Sequence, residues 1–318
     1  MVCLGLPKYA ANMDCVATIG KFECVHLGHR ELIGATVQAA RKLRLPSVAF
    51  TFDPHPYRVL ADPTYRPLLT LSEREYAFSG TGIDYLVTCP FDAAFAEQSP
   101  EAFCRMLFAD MRCTRLVVGE QYRFGKNRSG NLGLLRSEAK RYGSSVAVVS
   151  DIRHPTDNAK ISSSRIRRIL SGVEENAVSA ENPVKAAKLL GYPFFVMGTV
   201  RHGRAMGRDL GFPTLNIVPD VQKFLPADGV YVTRTRHTDI IYYSVTNVGK
   251  KPTVSQGGER STVETHLLGF GGDLYGEQVI VEFLRYLRPE RRYENTWQLR
   301  EQVRADIAEA GSFFGEQF

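Results

Sequence analysis

Short apolar runs alternate with amphipathic stretches over the first half of the chain. Five of these runs are rich in β-branched and other apolar residues, which predicts buried strands. They lie at 16–19, 46–52, 84–88, 115–119 and 145–149. Apolar residues at helical spacing predict a helix over 30–43, and capping sequences predict further helix starts at Ser72 and Ser99. Alternating strands and helices predict a doubly wound α/β domain, which we expect to span 1–175.

The second half of the chain shows a different pattern. A small and polar stretch at 171–186 predicts the connection between two domains, with a short helix after it. Short β-rich runs follow without helices between them, which predicts a small antiparallel β-barrel. These runs lie at 194–200, 229–235, 240–248, 263–268 and 279–284. Apolar spacing then predicts a C-terminal helix over 296–310, and we expect this second domain to span 187–318.

Composition agrees with two globular domains. The 318 residues are 44% hydrophobic and 23% charged, with no apolar run of membrane-spanning length and no signal pattern. We therefore expect a cytoplasmic protein without a membrane partner. The six cysteines fit no zinc-binding spacing and are interpreted as small core residues. The oligomeric state is left open.

The net charge of +6 favours phosphate-rich ligands but does not choose among them. A nucleic-acid-binding protein could carry the same charge. The chain has no Lys/Arg tract and no RNA-binding signature, so we expect small phosphorylated substrates rather than nucleic acid.

Two histidines follow the first predicted strand. Ligands of open α/β sheets bind at the carboxyl ends of strands, where helix N-termini offer free N–H groups. Gly28 keeps the backbone between His26 and His29 thin, so a phosphate chain could approach both rings. Either histidine alone is more simply a loop residue bonded to backbone. The pair favours phosphate binding, and the segment resembles the HxGH signature of nucleotidylyltransferases, which transfer a nucleotide monophosphate from ATP.

Other segments at predicted strand ends could also bind ligands. The prolines around His55 predict an extended turn without helix after Asp53, either a binding loop or a rigid connection. The loop at 120–130 contains Arg123 and Phe124, and its cations and aromatic rings suit a ligand with both phosphate and rings. A solvated loop is the simpler alternative.

A helix with hydroxyls at its start is predicted at 161–170. Ser163 and Ser164 could cap this helix or bind phosphate oxygens. Helical geometry places Arg165 and Arg168 on one face and turns Arg167 away from them. The alternative is a serine-capped basic surface helix.

The second half contains three candidate features. A glycine-rich basic loop at 198–208 suits a polyphosphate and matches neither a Walker A loop nor a kinase glycine loop. Thr214 and Asn216 stand two apart on an extended chain, so both could offer oxygen ligands to Mg²⁺. Glu264 lies inside a β run, where it could be a general base. An outward-facing strand residue is the simpler interpretation of Glu264.

These segments together resemble the bacterial bifunctional riboflavin kinase/FAD synthetase family over nearly the whole chain. The resemblance rests on ordered motifs in both halves. They are the His26–His29 motif and the segments 51–56, 119–130, 161–167, 211–216, 247–253, 263–266, 273–276 and 287–290. The resemblance implies a Rossmann-like nucleotidylyltransferase domain followed by a β-barrel riboflavin kinase domain.

For the second domain, the resemblance implies a flavokinase that passes the γ-phosphoryl group of ATP to riboflavin and forms FMN. Glu264 would be the base, Thr214 and Asn216 would hold Mg²⁺, and Arg288 would bind flavin. Four residues of the glycine-rich loop would contact the ATP phosphates. They are Gly203, Arg204, Gly207 and Arg208.

For the first domain, the resemblance implies that FMN and ATP are joined to give FAD and pyrophosphate. The FMN phosphate is the nucleophile, so His26, His29 and Arg167 would act by positioning and charge. Further ATP contacts are implied at Gly20, Phe22, Gly28, Ser163 and Ser164. Flavin contacts are implied at Asp53, His55, Arg123 and Phe124.

Two alternative hypotheses stay open at this point. The usual Gly-Asn-Phe-Asp-Gly of the family is Gly-Lys-Phe-Glu-Cys at 20–24, and Gln121 replaces the usual Asp. These departures would suit a riboflavin kinase whose N-terminal domain has reduced or lost adenylyl transfer. The second alternative is a nucleic-acid-binding or tRNA-modifying protein that uses the basic surface, with steeply salt-dependent affinity.

Overall fold

The computed structural model describes residues 1–5, 13–151, 153, 158–174, 177–202, 211–252 and 259–315. The chain divides into two compact units, Met1–Ser163 and Ser164–Phe318. The division lies at the first residue of a helix, whereas the sequence places the connection at 171–186. The domain limits 1–175 and 187–318 stay predictions.

The first unit is built on a six-stranded parallel sheet. The strand order is β1-β4-β3-β2-β5-β6. The strands are β1 (Val2–Gly5), β2 (Cys15–Ile19), β3 (Ser47–Asp53), β4 (Tyr85–Pro90), β5 (Cys113–Gly119) and β6 (Ser145–Val149). The five predicted strands are thus confirmed. The edge strand β1 was not predicted, because its short and mostly exposed sequence carries no buried apolar run.

The helices of the first unit cover both faces of this sheet. They are α1 (Leu27–Leu43), α2 (Pro56–Leu60), α3 (Leu71–Ser79), α4 (Ala93–Ala96), α5 (Pro100–Arg105) and α6 (Leu132–Arg141). A π-helical turn, Met106–Asp110, extends α5. Alternate residues of β2 face opposite layers: Ala17 packs in a core with Leu107 and Leu135, and Val16 packs with Ala40 of α1. The doubly wound α/β prediction is confirmed.

Two local predictions in this unit are corrected. Helix α1 begins at Leu27 rather than at 30, because His26 caps it and so His29 joins its first turn. The turn after Asp53 was predicted to contain no helix, but α2 starts directly at Pro56. Proline suits the first position of a helix, where its missing N–H would be unpaired in any case, and the His55 side chain caps this helix.

The second unit contains a closed antiparallel barrel of order β10-β11-β8-β7-β12-β9. Its strands are β7 (Phe195–Arg201), β8 (Leu215–Pro219), β9 (Gly229–His237), β10 (Ile240–Pro252), β11 (Glu259–Leu267) and β12 (Gln278–Arg288). The helices are α7 (Ser163–Leu170), whose first residue is the last of the first unit, α8 (Asn182–Leu190) and α9 (Thr296–Phe314). The predicted barrel and C-terminal helix are confirmed, and β8 is a strand beyond the five predicted.

Helix α9 packs on one outer face of the barrel. Ile307 and Phe314 of α9 contact a core that includes Val230 of β9 and Val245 of β10. Inside the barrel, hydroxyl groups pair with one another: Thr233 bonds Ser244 at 2.8 Å and Thr246 at 2.7 Å. The outer face of β9 to β11 therefore lies next to α9, and side chains on this face point toward the helix.

Candidate active sites

The first candidate site is the turn between β2 and α1. His26 is the N-cap of α1, and its Nδ1 accepts a hydrogen bond from the His29 backbone N–H at 3.2 Å. Because Nδ1 accepts, a neutral His26 carries its ring proton on Nε2. The rings of His26 and His29 stack, with centroids 3.6 Å apart and planes 11° from parallel. The two imidazoles thus form one unit at a helix N-terminus.

Burial keeps both histidines neutral at neutral pH. It lowers the pKa of His26 from 6.5 to about 4. Burial also lowers the pKa of His29, and the neighbouring His26 and the Lys21 ammonium act in the same direction. Nδ1 of His29 is buried and has no hydrogen-bond partner among the described residues. At neutral pH this site therefore offers N–H donors and the α1 dipole to an anion, rather than imidazolium charges.

The rest of the turn supports these rings. A Cβ at Gly28 would lie 3.2 Å from Cε1 of His26, so glycine allows the His26 ring to pack close to the helix. The Phe22 side chain is fully buried and meets His29 edge-on at 5.2 Å. Phe22 therefore supports the ring of His29, and its own side chain is not presented to a ligand. Gly20 continues the β2 pairing by donating its N–H to the Phe50 carbonyl at 3.1 Å.

The substitution of the family glycine by Cys24 causes no backbone strain. The residues with positive φ in this turn are Phe22 (43°) and Val25 (41°). The Cys24 side chain is buried, and its Sγ lies 3.3 Å from Oγ of Ser163 at the start of α7. The thiol thus joins the histidine turn to the hydroxyl that the sequence predicts as a phosphate ligand.

The predicted flavin contacts differ in how accessible they are. Asp53 is exposed at the end of β3, and its Oδ1 accepts from Nη2 of Arg74 at 3.0 Å. His55 is buried, and its Nδ1 accepts from the Tyr57 N–H at 3.2 Å as the cap of α2. Arg123 is exposed, whereas Phe124 packs in the core of the sheet. Asp53 and Arg123 are thus the accessible members of this set.

The arginines of α7 point in two directions, as helical geometry predicts. Arg165 and Arg168 both bind Glu174, with Nε–Oε distances of 3.3 Å and 2.8 Å. Arg167 lies on the other side, with its guanidinium carbon 4.6 Å from the ring centroid of Phe224. Ser164 is exposed in the first turn of the same helix.

The second candidate site is a row of polar side chains across three neighbouring barrel strands. Glu264 of β11 is paired with Asn216 of β8 on one side and with Asn247 of β10 on the other. Directly paired residues of antiparallel strands project to the same face. The row therefore brings the predicted base and one predicted Mg²⁺ ligand together.

Glu264 lines a cavity of about 220 Å³ beneath α9. Its lining includes Thr214, Asn247, Glu290, Arg288 and Tyr293. Arg288, a predicted flavin ligand, makes a two-pronged ion pair with Asp306 of α9, with Nε–Oδ1 at 2.9 Å and Nη2–Oδ2 at 2.7 Å. The simpler interpretation, that Glu264 is an outward-facing strand residue, is therefore incomplete. Glu264 does lie on the outer face of the barrel, but helix α9 covers that face here.

Thr214 lines a second cavity of about 270 Å³ as well. That cavity also includes Asp273 and Tyr275, which belong to a motif of the family resemblance. Nδ1 of His266 bonds the Pro213 carbonyl at 2.8 Å and so holds the segment before β8 in place. Thr214 thus stands where the two cavities meet. The loop residues Gly203, Arg204, Gly207 and Arg208 lie outside the described residues.

Comparisons with known proteins agree with this two-part geometry. The family model described as FAD synthetase matches residues 8–165, and the model described as riboflavin kinase matches residues 190–314. A bifunctional riboflavin kinase/FMN adenylyltransferase of Escherichia coli K12 is 34% identical over 309 residues, covering 96% of this chain and 95% of that protein. The chain belongs to the bifunctional riboflavin kinase/FMN adenylyltransferase family.

Other bifunctional riboflavin kinase/FMN adenylyltransferases show the same extent of similarity. The protein of Haemophilus influenzae is 33% identical, with 94% of each chain covered. The Bacillus subtilis protein is 30% identical, covering 94% of this chain and 92% of the relative. A solved structure described as a macrolide-efflux protein from Streptococcus pneumoniae has a TM-score of 0.82 at 30% identity, covering 96% of this chain and 97% of its own.

The family assignment confirms the predicted family and the two-domain enzyme. Both enzymatic domains of the bifunctional riboflavin kinase/FMN adenylyltransferase family are present, which favours the two-step hypothesis over the kinase-only alternative. Within the described ranges, no helix combines the length and apolar character needed to cross a membrane.

Sequence reasoning missed two buried charged residues beside the first site. Arg74 lies on α3, and Glu23 was noted only as a departure from the family motif. Both make hydrogen bonds to segments far away in sequence, so no local pattern could identify their partners.

Proposed function

We propose that the barrel unit phosphorylates riboflavin at the row formed by Asn216, Glu264 and Asn247. In this reaction Glu264 takes the proton of the ribityl 5′-hydroxyl as its oxygen attacks the γ-phosphorus of ATP. The bond from that phosphorus to the ADP oxygen breaks, and FMN and ADP are the products. The observation that best supports this proposal is the direct pairing of Glu264 on β11 with Asn216 on β8.

The two cavities that share Thr214 suit the two substrates of such a transfer. We assign the flavin to the cavity beneath α9, which includes Glu264 and apolar side chains of the helix. ATP would lie in the cavity that includes Asp273 and Tyr275. Thr214 lines both cavities and would face the transferred phosphoryl group. The predicted phosphate contacts of the loop at 203–208 remain part of this proposal.

The donor set beside Glu264 fits Mg²⁺. The Thr214 hydroxyl and the Asn216 amide oxygen are hard neutral ligands, and the adjoining Glu264 carboxylate adds negative charge nearby. Thr214 and Asn216 would hold the ion, and bound Mg²⁺ would neutralise charge on the ATP phosphates. The described residues contain no cluster of three or more His, Cys, Asp or Glu that could hold a metal ion.

For the first unit we propose adenylyl transfer from ATP to FMN. An FMN phosphate oxygen attacks the α-phosphorus of ATP, the bond to the β-phosphate oxygen breaks, and FAD and pyrophosphate leave. The stacked pair of neutral histidines at the α1 N-terminus supports this assignment. The Nε2–H of His26 donates to a phosphate oxygen, and the helix N-terminus favours the developing negative charge.

The remaining predicted contacts are parts of the same proposal. Ser163, Ser164 and Arg167 would contact ATP, and Asp53 and Arg123 would contact FMN. His55 and Phe124 would support the flavin site from below, because both side chains are buried. A cytoplasmic location and the absence of a nucleic-acid partner also stay predictions.

The test uses the purified full chain with ATP and Mg²⁺, given riboflavin in one reaction and FMN in another. Chromatography separates riboflavin, FMN and FAD. We expect FAD in both reactions. FMN from riboflavin without FAD from either substrate would instead support the kinase-only hypothesis. No product in either reaction would contradict both proposed activities.

A further inference from the structure

A largely buried polar network, whose exposed member is Asp53, lies at the two loops that the proposed adenylyl transfer uses. It consists of Glu23, Thr51, Asp53, His55, Tyr65 and Arg74. Its two central charged side chains, Glu23 and Arg74, are only 5% and 3% exposed. Neither faces a ligand in the proposed mechanism, so their burial needs another explanation.

Arg74 connects the ends of two neighbouring parallel strands. Its Nη1 donates to the Phe52 carbonyl and to Oγ1 of Thr51, both at 2.9 Å, at the end of β3. The same nitrogen lies 3.4 Å from the Lys21 carbonyl in the turn after β2. Its Nη2 donates to Asp53 Oδ1 at 3.0 Å. One planar group thus bonds both the histidine turn and the segment that carries Asp53, beyond the last backbone bond between the two strands, from Gly20 to Phe50.

Glu23 makes the matching connection from the turn itself. Its Oε1 accepts from the Tyr65 hydroxyl at 2.8 Å and from the Leu68 N–H at 3.0 Å. Its Oε2 lies 3.8 Å from Nε2 of His55. Since Nδ1 of His55 accepts from the Tyr57 N–H, Nε2 carries the proton that faces this carboxylate. Glu23 therefore ties the histidine turn to the cap of α2 and to the loop before α3.

Stability alone does not account for these two charges. Buried ion pairs often contribute little net stability, because desolvation offsets their attraction. Nε of Arg74 is in addition buried without a hydrogen-bond partner among the described residues. An unsatisfied buried donor of this kind lowers the stability that Arg74 contributes. What the network does provide is a set of side-chain bonds between the turn after β2 and the loop after β3, where the backbone pairing of the two strands has ended.

We infer that Arg74 and Glu23 are positioning residues for adenylyl transfer, holding the turn that contacts ATP in register with the loop that contacts FMN. The inference rests on the proposed FAD synthesis. In that reaction the FMN oxygen must lie in line with the α-phosphorus. A displacement of about 1 Å between two such substrates can lower the rate about 10²-fold.

The first experiment compares Arg74→Met and Arg74→Lys with the unchanged full chain. FAD formation is measured with FMN and ATP varied separately, and FMN formation from riboflavin is measured on the same preparations. For Arg74→Met we expect kcat/KM for FMN to fall about 10²-fold, through both a higher KM and a lower kcat. FMN formation should change less than about twofold. A lysine ammonium has one nitrogen and cannot replace both Nη1 and the Nη2 that bonds Asp53, so Arg74→Lys should restore the rate only in part.

A second pair of variants tests Glu23 against a matched control. In Glu23→Gln the amide oxygen can still accept from Tyr65 and Leu68, so we expect a smaller loss of kcat/KM for FMN, about tenfold. Glu138 is also buried, at 6% exposed, but lies on α6 and bonds Arg141. Glu138→Gln removes a buried carboxylate away from the network and should leave FAD formation within about twofold.

The KM values separate positioning from folding. If Arg74 only stabilised the unit, Arg74→Met would lower the folded fraction, so kcat would fall in proportion while both KM values stayed unchanged. That result, or unchanged kinetics, would overturn the inference. If the unsubstituted protein made FMN but no FAD, the proposed adenylyl transfer itself would be contradicted. The proposed role of Arg74 would then be contradicted as well.

Discussion

At the scale of single residues, His26 combines two tasks in one ring. Its Nδ1 accepts the bond that starts α1, and this leaves Nε2–H as the donor that an ATP phosphate would meet. Burial keeps the ring neutral, with a pKa of about 4. The same hydrogen bond that starts the helix therefore also selects the tautomer used for binding.

The two tasks of His26 can be separated by substitution. Asparagine is a good N-cap but lacks a group in the place of Nε2–H, so His26→Asn should keep the helix start and lose the phosphate donor. We expect FAD formation to fall about 10²–10³-fold. His26→Ala should also lose the cap and about 1 kcal/mol of stability. Steady-state FAD assays and urea unfolding of both variants measure this; equal stability losses would contradict the capping argument.

The lowered pKa of His26 also predicts how stability depends on pH. An unfolded histidine binds its proton near pH 6.5, and the folded ring does so only near pH 4. Between these values the unfolded chain holds more protons, so stability is complete above pH 6.5 and is lost as the pH falls. At pH 5 the loss relative to pH 8 is on the order of 2 kcal/mol.

Urea unfolding at pH 8 and pH 5 checks this dependence. The His26→Asn variant is the control, because it lacks the titrating ring and keeps the cap. We expect its free energy of unfolding to fall less than that of the unchanged chain over this range. Identical slopes for the two proteins would show that the folded His26 titrates normally.

The site residues that could be predicted are those with local signals. His26 and His29 belong to one short motif between a strand and a helix. The partners of Arg74 are different, because Lys21 is 53 residues away along the chain and is brought near only by the fold. Similarly, the sequence contains Asn216 and Glu264, but only the pairing of β8 with β11 brings them together.

At the scale of elements, the strands of the first unit that could be predicted are those with a continuous apolar run. The strands β2 to β6 were predicted from runs of apolar residues, most of them buried from water. The edge strand β1 was missed because it is only four residues long and mostly exposed. The barrel strand β8 was missed because its five residues include Asn216 and end at Pro219, which leaves no continuous apolar run. Helix α2 was missed for another reason: the flanking prolines were interpreted as barriers, whereas Pro56 occupies a helix start where proline is favoured.

Strand β10 contains a glycine whose lack of a side chain leaves room for Glu290, which lines the cavity beneath α9. A Cβ at Gly249 would collide with Oε1 of Glu290. That oxygen accepts from Nδ2 of Asn247 at 2.8 Å, beside Glu264 in the row. Glycine at this position therefore lets the Glu290 carboxylate close over the strand.

Gly249→Ala should displace Glu290 without unfolding the barrel, because the atom in the way ends a flexible side chain. We expect kcat/KM for riboflavin to fall about tenfold, as one hydrogen bond to a charged group is lost. The midpoint of thermal unfolding should change little, since alanine is not disfavoured relative to glycine within a strand. FAD formation from supplied FMN serves as the internal control. Unchanged riboflavin kinetics would contradict this role of Glu290.

At the scale of the whole molecule, the two proposed reactions use separate sets of residues. His26 and His29 belong to Met1–Ser163, and Glu264 belongs to Ser164–Phe318. The product of the second unit is the acceptor substrate of the first. Loss of one activity should therefore leave the other measurable, provided that FMN is supplied directly.

Glu264→Gln tests this independence together with the assignment of the base. The amide cannot accept the 5′-hydroxyl proton, so FMN formation from riboflavin should fall about 10²–10⁴-fold. FAD formation from supplied FMN should continue at the rate of the unchanged chain. His26→Asn should show the reverse pattern and accumulate FMN when given riboflavin. If the two variants are mixed with riboflavin and ATP, His26→Asn supplies FMN and Glu264→Gln converts it, so FAD should reappear. No FAD in that mixture, with each variant active on its own substrate, would mean that FMN made in one chain does not reach another.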